Sequence, residues 1–327
     1  MKRTIWQQLK KPLMVMAPLA DVTDAAFRPI INKYGKPDLL YTEFVSADGL
    51  CSGAGRPKLM RELSYTPAEH PIIGQIFGSK PENIKTAAAL LRELGFDGID
   101  INMGCPDEGI EKQKAGAALI KNPELAKEII AAAKEGAGEL PVSVKTRIGY
   151  NEVQIEKWTA ALLESKPAAI TFHLRTRKEM SKVAAHWELI RVPVEMAKGT
   201  GTLILGNGDV RDLEEARAKA QEYGIDGVML GRAIFGNPWL FSGRTGISMK
   251  ERLSVMVEHA KLFQDLFCAG ETNTRLFQGH TKNFQIMRKH MKAYCTGFEG
   301  AVELRAALME VHSAQEVEAL VAPWYAK

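Results

Sequence analysis

Short apolar runs recur along the chain as far as Phe241. Each is followed by a loop rich in Gly and polar residues and then by a segment of helical periodicity. The runs are Leu13–Pro18, Leu39–Phe44, Ile72–Phe77, Gly98–Met103, Val142–Arg147, Ala169–Leu174, Leu203–Gly208 and Gly227–Arg232. Near-continuous apolar runs of this length predict strands buried on both faces, as in a parallel sheet. Start and stop signals frame the intervening helices. Ser79-Lys80-Pro81-Glu82 reads as a capping box, with Gly95 closing that helix. Asn122-Pro123 reads as an N-cap followed by proline at the first helical position. Asp212 to Glu215 starts a further helix that Gly224 ends. Eight strand–helix units in series predict a closed (β/α)8 TIM barrel of about 250 residues, an α/β fold. A doubly wound open sheet is the alternative. Gly95-Phe96-Asp97-Gly98-Ile99 and Gly224-Ile225-Asp226-Gly227-Val228 echo each other four units apart, which suits a barrel of two halves.

Beyond Phe241 the pattern changes. Ser242 to Gly246 reads as a linker, and from Ser248 helical segments run to the end without a strand signal. The expected organisation is a catalytic barrel over 1–243 and a small all-helical C-terminal domain over 247–327.

Composition narrows the class. With 327 residues, 46% hydrophobic and 25% charged, the chain has the make-up of a globular protein and not of a fibrous or disordered one. No run of about 18 apolar residues occurs, so no membrane span is expected. Residues 1–11 lack the apolar core of a signal peptide. The four cysteines show no CxxC pairing, so neither a disulfide framework nor a metal site is expected, and the cytoplasm is the expected location.

Active sites of such barrels lie at the C-terminal ends of the strands. Polar residues there stand out against the apolar runs: Gln75, Asn102, Lys145, Arg147, His173, Arg175, Arg177, Asn207 and Asp209. Gly206-Asn207-Gly208 and Gly231-Arg232 offer backbone N–H groups and a cation at strands 7 and 8, where this fold often holds a phosphate. A barrel has no edge, so Lys145 faces the lumen or the rim, where an ammonium suits a ligand that becomes anionic. Cys105 lies in a loop between Gly104 and Pro106. An unperturbed thiol, with a pKa of about 8.5, is mostly protonated at neutral pH and favours proton donation. Cys51 lies near the rim without polar company. The segment 272–298 carries Arg275, Lys282, Arg288, Lys289 and Lys292 and no Asp or Glu, in a chain of net charge +4. Such a stretch suggests a phosphate-binding face.

Taken together these residues resemble the tRNA-dihydrouridine synthase family over almost the whole chain. The motifs are Ala17-Pro18-Leu19 with Thr23 to Arg28, Asn102 to Pro106 with Ala115 to Leu119, and Lys145-Thr146-Arg147. They continue with His173 to Arg177, Asn207-Gly208-Asp209, Gly231-Arg232 through Trp239, and Arg288 to Tyr294. Leu174 and Glu108-Gly109 depart from the family's usual residues. The resemblance implies FMN across the barrel mouth, with Pro18, Leu19 and Ala20 at the ring. Gln75 and Lys145 would address its pyrimidine edge. His173, Asn207, Gly208, Asp209, Gly231 and Arg232 would hold the ribityl phosphate. NADPH would reduce the flavin, which passes hydride from N5 to C6 of a uridine in tRNA, while Cys105 delivers the proton to C5. Asn102, Arg175, Arg177, Lys282, Arg288, Lys289 and Lys292 would contact RNA. A monomer is expected. Because the basic segment lies outside the barrel, its loss is expected to leave flavin content untouched. An FMN barrel oxidoreductase acting on a free pyrimidine shares the flavin residues without needing that segment. A tRNA-binding chaperone on a degenerate barrel would need neither Cys105 nor Lys145.

Overall fold

The computed structural model describes residues 4–268 and 282–325. Eight strands form one sheet with all neighbours parallel: β1 Leu13–Met16, β2 Leu40–Ser46, β3 Ile72–Phe77, β4 Gly98–Met103, β5 Val142–Arg147, β6 Ala169–His173, β7 Leu203–Asn207 and β8 Gly227–Leu230. The order runs β1-β8-β7-β6-β5-β4-β3-β2, and a parallel bridge between Val15 and Leu39 joins β1 to β2. This is the (β/α)8 barrel expected from the alternating pattern. β1, β6, β7 and β8 end one or two residues before their apolar runs do. Inside the barrel, Leu13, Val15, Leu39, Tyr41, Ile73, Leu205 and Met229 pack together, and Trp6 from the N-terminal turn joins that cluster.

Helix boundaries follow local chemistry in most places. Asn122 accepts from the N–H of Leu125 ahead of Pro123–Ala137, and Asp212 accepts from Glu215 ahead of Leu213–Tyr223. Ser79 is a correction. The helix Pro81–Glu93 starts at Lys80 without a side-chain cap, and the Ser79 hydroxyl instead donates to the carbonyl of Gln113 at 2.5 Å. A tertiary acceptor has taken the hydroxyl that local spacing assigned to the helix.

The echoed turns share their bonding. The Asp97 carboxylate accepts from the N–H of Ile72 at 2.7 Å, and that of Asp226 accepts from Ile204 at 2.8 Å. Each Asp ties the strand it precedes to the start of the strand before.

Of the C-terminal helices, Met249–Phe267 and Arg288–Tyr294 lie against the barrel's helix Phe27–Gly35, and Ala301–Leu308 and Ala314–Val321 pack on those two and on each other. Phe27 stacks on His259 at 4.9 Å and lies 4.7 Å from the ring of His290. After β8, Gly236 (φ +64°) lies so close to the helix Arg288–Tyr294 that an added Cβ would collide with the Ala293 carbonyl. Gly236 is therefore a point of close approach to the helical region, whereas Pro238 and Trp239 of the same motif lie against Gly35 and Tyr34 of the helix Phe27–Gly35.

Candidate active site

The strand ends converge on one cavity of about 280 Å³ at the C-terminal mouth of the barrel. Its wall comprises Ala17, Pro18 and Leu19 after β1, Asn102 on β4 with Gly104, Cys105 and Pro106 after it, Lys145 and Arg147 on β5, and His173 at the end of β6 with Arg175 beyond it. Asn207 to Val210 and Gly231-Arg232 complete it. Most of the sequence-predicted residues thus meet in space. Phe44, Arg147, Ser181, Val210 and Met229 also line it without having been given a role. Arg147 carried the same signal as Lys145, a cation on an apolar strand. Ser181 and Val210 lie in loops with no such signal.

Charge is concentrated at this mouth. The Lys145 ammonium donates to the Asn207 side-chain oxygen at 3.4 Å, and the Asn207 amide is anchored on the Met229 carbonyl at 2.7 Å. Burial, with the Arg147 charge adding to it, lowers Lys145 to about 8. Burial likewise lowers Arg147 to about 10. His173 is pushed well below the usual imidazole value by burial and then by the cations around it, so its ring is neutral. A half-enclosed site with this excess of cations is suited to an anion.

At the ends of β7 and β8, where a phosphate is expected, Asp209 is engaged by protein cations. The Asp209 carboxylate is held between two guanidinium groups, bonded to Arg175 and to Arg232, the latter at 2.5 Å, and it also accepts from the Ala185 N–H. Its role here is to order the two arginines. Gly231 leaves open space: an added Cβ would meet only Ala17, at 3.6 Å. The Arg232 side chain is exposed and Arg175 is buried, with its Nε on the Val183 carbonyl.

The thiol loop is built from inside the barrel outward. Asp100, in the lumen, accepts from Gln75 and from Ser143, each at 2.6 Å, and burial raises its carboxyl to about 6. Gln75 accepts from the Asn102 amide at 3.1 Å. The Asn102 oxygen accepts from the N–H groups of Gly104 and Cys105. Gln75 is fully enclosed, so it meets the mouth through Asn102 and does not itself line the cavity. From the other side, Arg147 donates to the Gly104 carbonyl at 2.8 Å. Gly116 (φ +61°) backs the loop: a Cβ there would meet the Cys105 carbonyl oxygen at 2.7 Å. Burial raises the half-buried Cys105 thiol above its ordinary value, so it carries its proton at neutral pH.

Other expected residues stand apart. Ala20 is exposed and outside the cavity wall. Arg177 is bound to both carboxylate oxygens of Glu111, at 2.5 Å at the closest, and so ties the β6 loop to the short helix Glu108–Lys112 after Cys105. Lys282 is a clear correction. Its ammonium is buried among Glu62 at 2.8 Å, Glu43 at 3.1 Å and Asp21 at 3.7 Å, and it does not face solvent. Carboxylates remote in sequence satisfy it. Arg288, Lys289 and Lys292 lie at the surface of their helix, half-buried or exposed, whereas His290, Met291 and Tyr294 of the same motif face the core. Arg275 and the rest of 269–281 lie outside the described residues. Among the described residues no helix is long and apolar enough to cross a membrane, and no group of three or more His, Cys, Asp or Glu side chains is placed to hold a metal.

An all-parallel barrel with a cation-rich mouth and a protonated thiol on its rim has the form of a barrel enzyme acting on an anionic or phosphorylated ligand. The family model described as dihydrouridine synthase (Dus) matches residues 15–325. The chain belongs to that family. A probable tRNA-dihydrouridine synthase of Staphylococcus aureus strain Mu50 is 39% identical over 325 residues, covering 98% of this chain and 95% of that protein. Probable tRNA-dihydrouridine synthase 2 of Bacillus subtilis strain 168 is 39% identical over 327 residues, covering 98% and 96%. Among solved structures, morphinone reductase shares the fold at a TM-score of 0.51 and 15% identity, covering 70% of this chain and 84% of its own. A 2-naphthoyl-CoA reductase shares it at 0.56 and 12%, covering 73% and 51%.

Proposed function

We propose that this chain reduces uridine to 5,6-dihydrouridine in tRNA, with FMN as cofactor and NADPH as reductant. The observation that carries the reading is one cavity holding both a cation-rich floor and a protonated thiol. The residues fit the cofactor. Lys145 and Asn207 would meet its polar ring edge, Pro18 and Leu19 its apolar face, and Arg232 with the open ground at Gly231 its phosphate. When bound, FMN supplies the hydride that no side chain can donate. Cys105 holds a proton at Sγ and delivers it to C5 of the base. Asn102 and Arg147 fix the loop that aims it. The Lys145 ammonium offsets negative charge that develops at the mouth. An extra-helical loop nucleotide reaches such a mouth at lower cost than a stacked one. Residues 1–243 carry the chemistry, and the helical region 247–327 presents Arg288, Lys289 and Lys292 to the RNA backbone.

The test is to map dihydrouridine in RNA from cells with and without this gene and to record the spectrum of the purified protein. A flavin spectrum together with dihydrouridine positions that vanish on deletion is the expected result. A protein that takes up no FMN, or an unchanged dihydrouridine map, overturns the reading.

A further inference from the structure

The loop between β1 and the helix Phe27–Gly35 carries Pro18 and Leu19 into the mouth, and its anchoring is unusual. Leu19 N–H donates to the Thr23 hydroxyl at 2.9 Å. Thr23's carbonyl accepts from the buried Arg28, which is ion-paired with Glu69 at 2.7 Å. Asp24 accepts from the N–H groups of Ala26 and Phe27, both at 2.9 Å. Asp21, at φ +54°, donates its backbone N–H to the Glu43 carboxyl on β2. Glu43 in turn is bound by the Lys282 ammonium, which arrives from the helical region, 239 residues away in sequence.

This junction is buried and nearly balanced in charge. Glu43, Glu62 and Lys282 are all enclosed, and Glu62 is also paired with Arg61 at 3.0 Å. Burial first, and then a hydrogen bond to the neighbouring Glu62, hold the Glu43 carboxyl well above its usual range, whereas Glu62, despite its burial, is lowered by that bond and by the Lys282 charge. Asp24 is raised by burial as well. Lys282 is the cation through which the helical region reaches all of them. Removing one partner of a buried ion pair leaves an uncompensated charge, and the groups around it must move.

We propose that Lys282 is a positioning residue for the flavin-ring loop: through Glu43 and the Asp21 N–H it holds Pro18 and Leu19 in place at the barrel mouth. The helical region is therefore part of the cofactor seat. This replaces the expectation that substitutions in the basic segment leave flavin untouched, for this one residue. The proposal rests on the FMN reading above.

The experiment titrates FMN into apo-protein and follows quenching of flavin fluorescence, with thermal unfolding recorded alongside. Lys282→Met is expected to weaken FMN binding about tenfold or more, the size of one lost charge-assisted hydrogen bond. Lys282→Arg should recover most of it. Leu304→Ala, a buried truncation in the helix Ala301–Leu308, serves as the stability control. It should lower the melting temperature yet keep FMN affinity within about twofold of wild type. If Lys282→Met does not fold, Lys282→Met with Glu43→Met removes both charges together, and the same loss of affinity is expected. FMN affinity within about twofold of wild type in the folded variant overturns the positioning role, as does an equal loss in Leu304→Ala. A wild-type protein that binds no FMN overturns the flavin reading itself and this proposal with it.

Discussion

The side-chain oxygen of Asn102 accepts the backbone N–H of Cys105 at 2.9 Å, and this one acceptor also takes the N–H of Gly104 at 3.1 Å. The thiol is thereby aimed by a residue whose own amide is held from the barrel interior by Gln75 and, behind it, Asp100. Asn102→Ala leaves two N–H groups without their partner, a loss of about 1–3 kcal/mol that acts on the loop rather than on the barrel. Pre-reduced Asn102→Ala enzyme should be re-oxidised by uridine-containing tRNA about tenfold to a hundredfold more slowly than wild type. A wild-type rate in rapid-mixing experiments would show that the thiol is aimed by other contacts.

Cys105 itself should divide the two half-reactions. Cys105→Ala should retain FMN and remain reducible by NADPH. Its re-oxidation by tRNA should fall by about 10²–10⁴-fold, the usual worth of a general acid. Cys105→Ser should be nearly as slow, because a hydroxyl is a much weaker acid. Cys51→Ala, at an exposed site outside the cavity, should behave as wild type. Single-turnover absorbance of the flavin separates these outcomes.

Lys145 should make cofactor binding depend on pH. Burial lowers its folded-state value to about 8, so in the apo-protein the ammonium is present below that pH and lost above it. An anionic ligand binds the charged form. FMN affinity should therefore be flat near pH 7, with little proton exchange, and fall above pH 8 by up to about tenfold per unit, with uptake there approaching one proton on binding. Lys145→Ala should bind FMN weakly at all these pH values and lose the dependence. Isothermal titration in buffers of different ionisation heat reads the proton directly, and a pH-independent affinity in wild type would contradict the assignment.

Arg288→Ala, Lys289→Ala and Lys292→Ala combined should weaken tRNA binding and flatten its salt dependence. For every phosphate that the variant no longer neutralises, the log–log slope should fall by about 0.7–0.9. Flavin content should stay unchanged, because none of the three touches the mouth or the Lys282 junction. Filter binding across a salt series measures the slope, and an unaltered slope would place the RNA elsewhere.

Strand order and the residues of the mouth were legible in the sequence because both follow from short-range pattern. Apolar runs separated by helical periodicity can bury both faces only in a parallel sheet covered by helices. A closed sheet then sends every strand end to one rim. Lys145, His173, Asn207 and Cys105 could be found on that ground alone. What a polar side chain meets across the fold is not a short-range property. Lys282 stands in an acid-free stretch, and only the packing of the helical region on the Phe27–Gly35 helix and β2 brings Glu43 and Glu62 to its ammonium. Arg177 meets Glu111 and Ser79 meets Gln113 in the same way, each pair brought together by separate barrel loops. Asp209 lies in the phosphate-end motif, yet its two arginine partners come from the ends of β6 and β8, which makes it an organiser of cations. Composition and periodicity assign a residue to a face. Whether that face meets water, a ligand or an opposite charge is decided by the elements that close over it, because burial of an ammonium or a carboxylate is tolerable only where a partner already waits.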